Sequence, residues 1–448
     1  MTFVKKYNRH FHVYRKDLTE KARQYASGLM QAGSRKNMDR MAEVVPDAKS
    51  RNLQQFITHC NWSARDVIDD VAKDVNALLG DSVKAGLIID ESGFKKQGTM
   101  SVGVARQWLG RIGKVDNGQV AVFSVLANGR FSAPVDVRLY LPHKWTDDPK
   151  RCEKAGVPEK DRIFRTKEEL ALEMVENARA NGLVFGWVGA DAGYGKGPGF
   201  CMGLEDIGQQ FVVDVHSDFH VFLDDTAPRI PEPRSKRGRK PTRYKAKGQS
   251  IEVSQVVSQF ALSDQPVLKL RKTSRGPLLV RALRVPVYVW NGESNDVRQW
   301  HLIATQTLGK NPETKISLTN VPASKDLCTL AWMQLQRYWV ERAFQDGKSE
   351  CGMADYQVRK WKAWHHHMAM VMMALLFMLD ERIRHKKTYP LLSCSDIEEL
   401  LSRFLPRRDV SKKEVISQLE HRHRKRMVAI QSRSRKSQPQ GVHENRVA

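Results

Sequence analysis

A chain of 448 residues, 41% of them apolar, can bury a sizeable core and has room for two or three domains. Its 74 Lys and Arg against 50 Asp and Glu leave a net charge of +24 and a pI near 9.8, which points to a polyanionic partner, most often nucleic acid. Six scattered cysteines without a Cys-x-x-Cys pair argue against a zinc ribbon and a secreted disulfide framework, and the apolar run Met368–Leu379 is shorter than the about 20 residues of a membrane helix.

With no apolar signal core at the amino terminus, the expectation is a soluble, intracellular protein with reduced thiols. Residues 1–82 read as helical. Short helices are predicted over Leu18–Met30 and Arg35–Val44, and a third from Ser63, with Asp66 completing a capping box, to about Leu79. Val67, Val71, Val75 and Leu78 form its apolar stripe. Arg35, Lys36, Arg40, Lys49 and Arg51 are expected on the surface, where a DNA-binding head and a purely packing role are equally open.

The texture changes near Lys84. Ala85–Ile89 is an apolar run delivering Asp90 at its end, followed by strands over Gln119–Leu126 and Pro134–Leu141 around the turn signal Asn128-Gly129. A helix capped by Thr166 and Glu169 covers Lys167–Ala180, and the next strand, Leu183–Ala190, ends in Asp191. Phe211–Val215 is a fifth strand. From 225 to 322 the alternation stops and strands dominate, with candidates at Leu278–Trp290, Trp300–Thr307 and Lys315–Leu318. That segment carries a basic stretch in which Arg237-Gly238-Arg239, followed by Lys240, Pro241 and Arg243, resembles an AT-hook core; an unselective phosphate-touching loop is the equal alternative.

The segment Arg337–Lys348 reads as helix. At 100° per residue, Glu341 lies about 40° and Lys348 about 20° from Arg337, so one face carries a carboxylate between two cations, while Asp346 and Glu350 point away. Alone, such a face is also an ordinary surface ion pair. Val358–Leu379 is a buried helix bearing His365-His366-His367, which project about 100° apart and cannot all bind one metal. A last helix capped by Ser411 and Glu414 is expected to dissolve into a basic, partly disordered arm from His421 onward, within a tail covering 401–448.

Strand order β-β-β-α-β, with acids at Asp90, Asp191 and Glu341, is the plan of the ribonuclease H-like fold. The fold class expected is therefore α/β: a ribonuclease H-like core over 83–224 and 323–400, interrupted by the β-rich insertion. The acids have hard oxygen donors that suit Mg²⁺, and two such ions can stabilise both oxygens of an in-line displacement at phosphorus.

The chain resembles the DDE-superfamily transposases of bacterial insertion sequences, in the group with an Arg-x3-Glu-x6-Lys signature after a β-rich insertion. The matching residues are Ile88–Phe94, Val102–Gln107, Gly113–Val120, Leu139–Pro142, Gly189–Gly195 and Arg337-x3-Glu341-x6-Lys348; Gln334 departs from the Tyr often found three residues before the signature Arg. The resemblance implies an enzyme that binds its element's terminal inverted repeats, cuts at the 3′ ends with Mg²⁺ (Mn²⁺ substituting), and joins the freed 3′-OH to target DNA. Asp90, Asp191 and Glu341 would be the catalytic, metal-holding acids, with Arg337 and Lys348 on phosphates and Arg106 and Gln107 as weaker DNA contacts. It also implies double-stranded DNA as partner, a homodimer in the DNA complex, and a bacterial cytoplasm with nucleoid association when bound. A catalytically silent DNA-binding descendant, and a nuclease without strand transfer, are the competing readings.

Overall fold

The computed structural model describes residues 2–33, 35–233, 240–273, 276–309 and 311–437. Amino-terminal helices α1 (Thr19–Gln31), α2 (Met38–Val44), α3 (Ser50–Thr58) and α4 (Ala64–Leu79) precede the sheet. The start of α4 is fixed by Ser63 accepting from the Asp66 amide at 3.2 Å, the Ser63 half of the expected capping box without the return bond from the Asp66 side chain. Its stripe ends differently: Leu79 takes the last buried position and Leu78 is only half-buried. Lys36 is not on the surface. It is buried and pairs with Glu398 at 3.0 Å, so it is unavailable to DNA.

Strand β1 (Asp81–Lys95) runs five residues beyond Asp90, so the sequence misplaced its end. The apolar run stops at Asp90, but the hydrogen-bond ladder continues to Lys95 opposite Gly118. β2 (Ala105–Leu109), β3 (Lys114–Asn128) and β4 (Phe131–Leu139) follow, the turn between the last two bending at Gly129, whose φ of +61° suits glycine. α5 (Lys167–Ala180) begins with the complete Thr166–Glu169 capping box, and β5 (Phe185–Ala190), α6 (Gly199–Asp206) and β6 (Phe211–Asp214) complete this part.

β1 is antiparallel to β3 and parallel to β5, which is parallel to β6. The next strands, β7 (Val267–Thr273), β8 (Gly276–Trp290), β9 (Val297–Thr307) and β10 (Thr314–Thr319), add to the same sheet, β10 pairing antiparallel with β6. The result is one ten-stranded mixed sheet in the order β7-β8-β9-β10-β6-β5-β1-β3-β2, with β4 beside β3. This mixed α/β architecture is consistent with a DDE nuclease fold.

Helices α7 (Leu327–Leu335) and α8 (Tyr338–Ser349) return the chain to the sheet, and α9 (Trp361–Arg384) is buried along most of its length against α1, α3 and α4. α10 (Cys394–Phe404) and α11 (Lys412–Ser437) close the described chain. The run His421–Arg426 lies inside α11, where the sequence suggested disorder; Arg422 and Lys425 meet Glu43 and Asp39, both on α2. Among the described residues no helix is long and apolar enough to cross a membrane.

Candidate active site

The parallel register places the first two acids at one level. Ile89 pairs with Ala190, so Asp90 and Asp191 follow their strands at adjacent positions, one still within its strand and the other just past the end. Asp191 is held by its own turn: its Oδ1 accepts from the Gly193 amide at 3.0 Å, and its carbonyl accepts from Tyr194. Gly195 explains why this turn ends in glycine. A Cβ there would lie 2.0 Å from the Asp214 carbonyl oxygen, so only glycine lets the Asp191 turn meet the end of β6.

Phe123, opposite Asp90 on β3, meets Phe344 of α8 edge-on at 5.1 Å, which seats α8 on the Asp90 face of the sheet. Arg337 lies just before that helix, in the turn after α7, rather than inside it. It still faces Glu341, with Nη1 3.3 Å from Glu341 Oε1. The same Nη1 is 3.7 Å from Asp90 Oδ2, and Nε donates to Asp214 Oδ2 at 3.2 Å. One guanidinium therefore touches three carboxylates from three separate parts of the chain.

Electrostatics follow from this crowding. Burial, and then the nearby Asp191 charge, push the Asp90 carboxyl up to about 8; Arg337 pulls the other way without prevailing. Asp214 is also held above the usual carboxylate range by burial, against the lowering pull of Ser317 and Arg337. Burial opposes the charge on Arg337, but Asp214, Asp90 and Glu341 outweigh it and keep the guanidinium protonated. The site is thus short of positive charge, and its donors are carboxylate oxygens, the set that suits a hard divalent cation. As the side chains stand, no three His, Cys, Asp or Glu among the described residues are gathered to hold an ion.

Beside Asp191 opens a cavity of about 520 Å³ lined by Trp108, Tyr140, Phe164, Lys167, Tyr194 and His216, among others. Trp108 is 54% exposed, and the buried Tyr194 hydroxyl has no hydrogen-bond partner among the described residues.

Lys348 approaches the Phe94 ring at 5.6 Å, further along the α8 face. Asp346 is buried against Arg342 at 3.1 Å, away from the acids, as the helical geometry required. Arg106 is exposed on β2, whereas the Gln107 amide donates to the Gly118 carbonyl at 2.7 Å. Lys240 and Arg243 are exposed; Arg237 and Arg239 lie outside the described residues. The three histidines are structural: His366 is pinned between the carbonyls of Ile57 and Trp62, each at 2.8 Å, His367 meets the Tyr25 hydroxyl, and His365 meets the Trp361 carbonyl.

A family model described as DDE superfamily endonuclease matches residues 7–276, more than half of the chain. The chain belongs to this family. The match takes in Asp90, Asp191 and Asp214 and stops before Arg337 and Glu341, so the place of these two in the candidate site of this DDE endonuclease rests on geometry alone. The chain is also similar to a protein of Microchaete diplosiphon named as a probable transposase for insertion sequence element IS701, at 29% identity over 197 residues. That alignment covers 42% of this chain and 46% of the relative, so the chain spans about half the length of the relative it matches. DDE nucleases generally work with divalent metal ions. Asp214, which joins the cluster on Arg337, carries no signal in sequence, where it is only the polar residue near the end of a short apolar strand; its pairing opposite Ser317 and its contact with Arg337 appear only in the fold.

Proposed function

We propose that this DDE endonuclease is the transposase of an insertion sequence, binding the element's terminal inverted repeats and cutting and joining DNA through Asp90, Asp191 and Glu341. The observation that carries the reading is the meeting of Asp90 and Glu341 on one Arg337 guanidinium, beside Asp191. The strands from β1 to β6 form a ribonuclease H-like core, β7 to β10 its insertion, and α7 to α9 its second part.

Asp90, Asp191 and Glu341 would hold Mg²⁺, with Mn²⁺ able to substitute; bound there, the ions would supply charge stabilisation to the oxygens exchanged at phosphorus. Glu341, whose side chain is 56% exposed, has the freedom to swing toward the buried Asp90. Arg337 keeps its charge at any working pH and presents a planar fork for phosphate oxygens. Lys348 adds a second cation on the same helix. Arg106, Lys240 and Arg243 supply outlying phosphate contacts, joined by Arg237 and Arg239 of the basic segment. Two protomers would pair the two element ends, in a cytoplasm where the protein associates with the nucleoid through DNA.

The test is incubation with a donor plasmid carrying the element's ends, a target plasmid and Mg²⁺. Joined products are expected. Nicking without joining would replace the reading with a nuclease, and binding without cleavage would replace it with a silent DNA-binding protein.

A further inference from the structure

We propose that Asp214 is a positioning residue of the cutting site, acting through Arg337 and held in place by Ser317 and Gln334. The inference rests on the proposed function above for its cutting readout. Each link is a contact in the structure. Ser317 on β10 sits directly opposite Asp214 across the seam between β10 and β6, and its hydroxyl donates to Asp214 Oδ1 at 2.6 Å. Gln334, near the end of α7, donates through Nε2 to the Ser317 oxygen at 2.7 Å, and its Oε1 accepts from the Thr305 hydroxyl at 2.5 Å. Thr305, Ser317 and Gln334 are all nearly inaccessible to solvent.

The direction of this chain is fixed by its donors. Ser317 accepts from the Gln334 amide, so its own proton goes to Asp214; Gln334 accepts from Thr305, which orients its amide. The relay runs Thr305 to Gln334 to Ser317 to Asp214, and Arg337 meets Asp214 from the other side. Both Asp214 oxygens are thereby engaged by side chains, Oδ1 by Ser317 and Oδ2 by Arg337, whereas among the described residues Asp90 Oδ1 accepts only from the Glu91 amide of its own strand.

The geometry explains why the arginine needs such a partner. A guanidinium on a flexible stem between Asp90 and Glu341 could tilt toward either acid. Anchoring Nε on a buried carboxylate fixes the plane of the fork and leaves Nη1 between the two. The relay also carries the fit of the inserted strands into the site: Thr305 and Ser317 belong to β9 and β10, and Gln334 to the helix just before Arg337. A shift of β10 against β6 would move the anchor.

A double-mutant cycle tests this, with Asp214→Asn, Arg337→Gln and the pair, read by nicking of end-bearing supercoiled plasmid and by calorimetric titration of Mn²⁺ without DNA. Each single change is expected to slow nicking by about tenfold or more, and the pair to be no slower than Arg337→Gln alone, as for residues acting as a unit. Asp214→Asn should shift Mn²⁺ affinity in the native background and leave it unmoved once Arg337 is replaced. Losses that multiply, Mn²⁺ binding that weakens equally in both backgrounds, or no shift in the native background would each overturn the proposal. Should Asp214→Asn fail to fold, Ser317→Ala, which spares every charge, must show the same non-additivity with Arg337→Gln. If the native protein does not nick end-bearing DNA, the transposase reading falls, and the Mn²⁺ cycle alone judges Asp214.

Discussion

Two clusters of residues with metal-binding chemistry occupy opposite fates in this molecule. His365, His366 and His367 are contiguous, yet each turns to a different carbonyl or hydroxyl, and burial drives all three toward the neutral form, to about 4, 4 and 3. Asp90, Asp191, Asp214 and Glu341 are scattered through the chain, yet three of them meet on one guanidinium and the fourth lies within electrostatic reach of Asp90. Adjacency on a helix disperses side chains by about 100° per step, whereas a parallel register aligns residues from distant strands. The chemistry collects where the register places it.

Breaking each cluster should therefore give different symptoms. Asp90→Ala, Asp191→Ala or Glu341→Ala is expected to lower cleavage by roughly 10³-fold or more, as loss of several kcal/mol of charge stabilisation implies, while binding to the element ends persists in a gel-shift assay. Retained cleavage in any one variant would remove that residue from the triad. His366→Ala should instead leave the metal dependence of cleavage untouched and lower unfolding stability by about 2–3 kcal/mol in a denaturant titration, since a buried ring and the hydrogen bond its one N–H donates to a facing carbonyl are lost. A changed metal requirement would reverse the structural assignment of the histidines.

A subtler test uses pH. The folded Asp90 carboxyl sits near 8, above its ordinary 3.8, so the folded state holds a proton that the unfolded state releases. Its stabilising contribution is full below about pH 4 and is lost as pH rises toward 8. Metal-free Asp90→Asn should lack this part of the decline and melt higher than the native protein at pH 8, although it is inactive; an unchanged melting profile would show that Asp90 is not held protonated. The smallest effect is expected at the rim: Arg106→Ala should weaken binding slightly and uniformly across DNA sequences and lower the salt slope by about one.

Much of this was legible in the sequence, because local signals were strong. The Thr166–Glu169 capping box fixed α5 to the residue, and the Asn128-Gly129 turn joined β3 to β4. The Arg337–Glu341 spacing predicted a contact that exists, even though Arg337 precedes the helix, because the turn before α8 keeps helical backbone angles. What stayed hidden was non-local. Lys36 reads as a surface cation until Glu398 is seen against it. Gln334 reads as a departure from a motif, and only the packing of α7 on β9 and β10 shows it bridging Thr305 and Ser317. Asp214 carries no signal without its partner across the sheet.

The pairing of β10 with β6 has one more consequence. If the sheet stopped at β6, a four-residue parallel strand would expose its unpaired amides and carbonyls to any other chain. The added strands move that open edge outward to β7, which carries Lys269, Arg271 and Lys272. Such charges discourage strand-to-strand aggregation. Arg271 also lies 5.1 Å from the Trp339 ring and 5.4 Å from that of Tyr338, so the edge is fastened to the helix that carries Glu341. Shortening this protein to its parallel half would thus yield a self-associating fragment rather than a minimal enzyme.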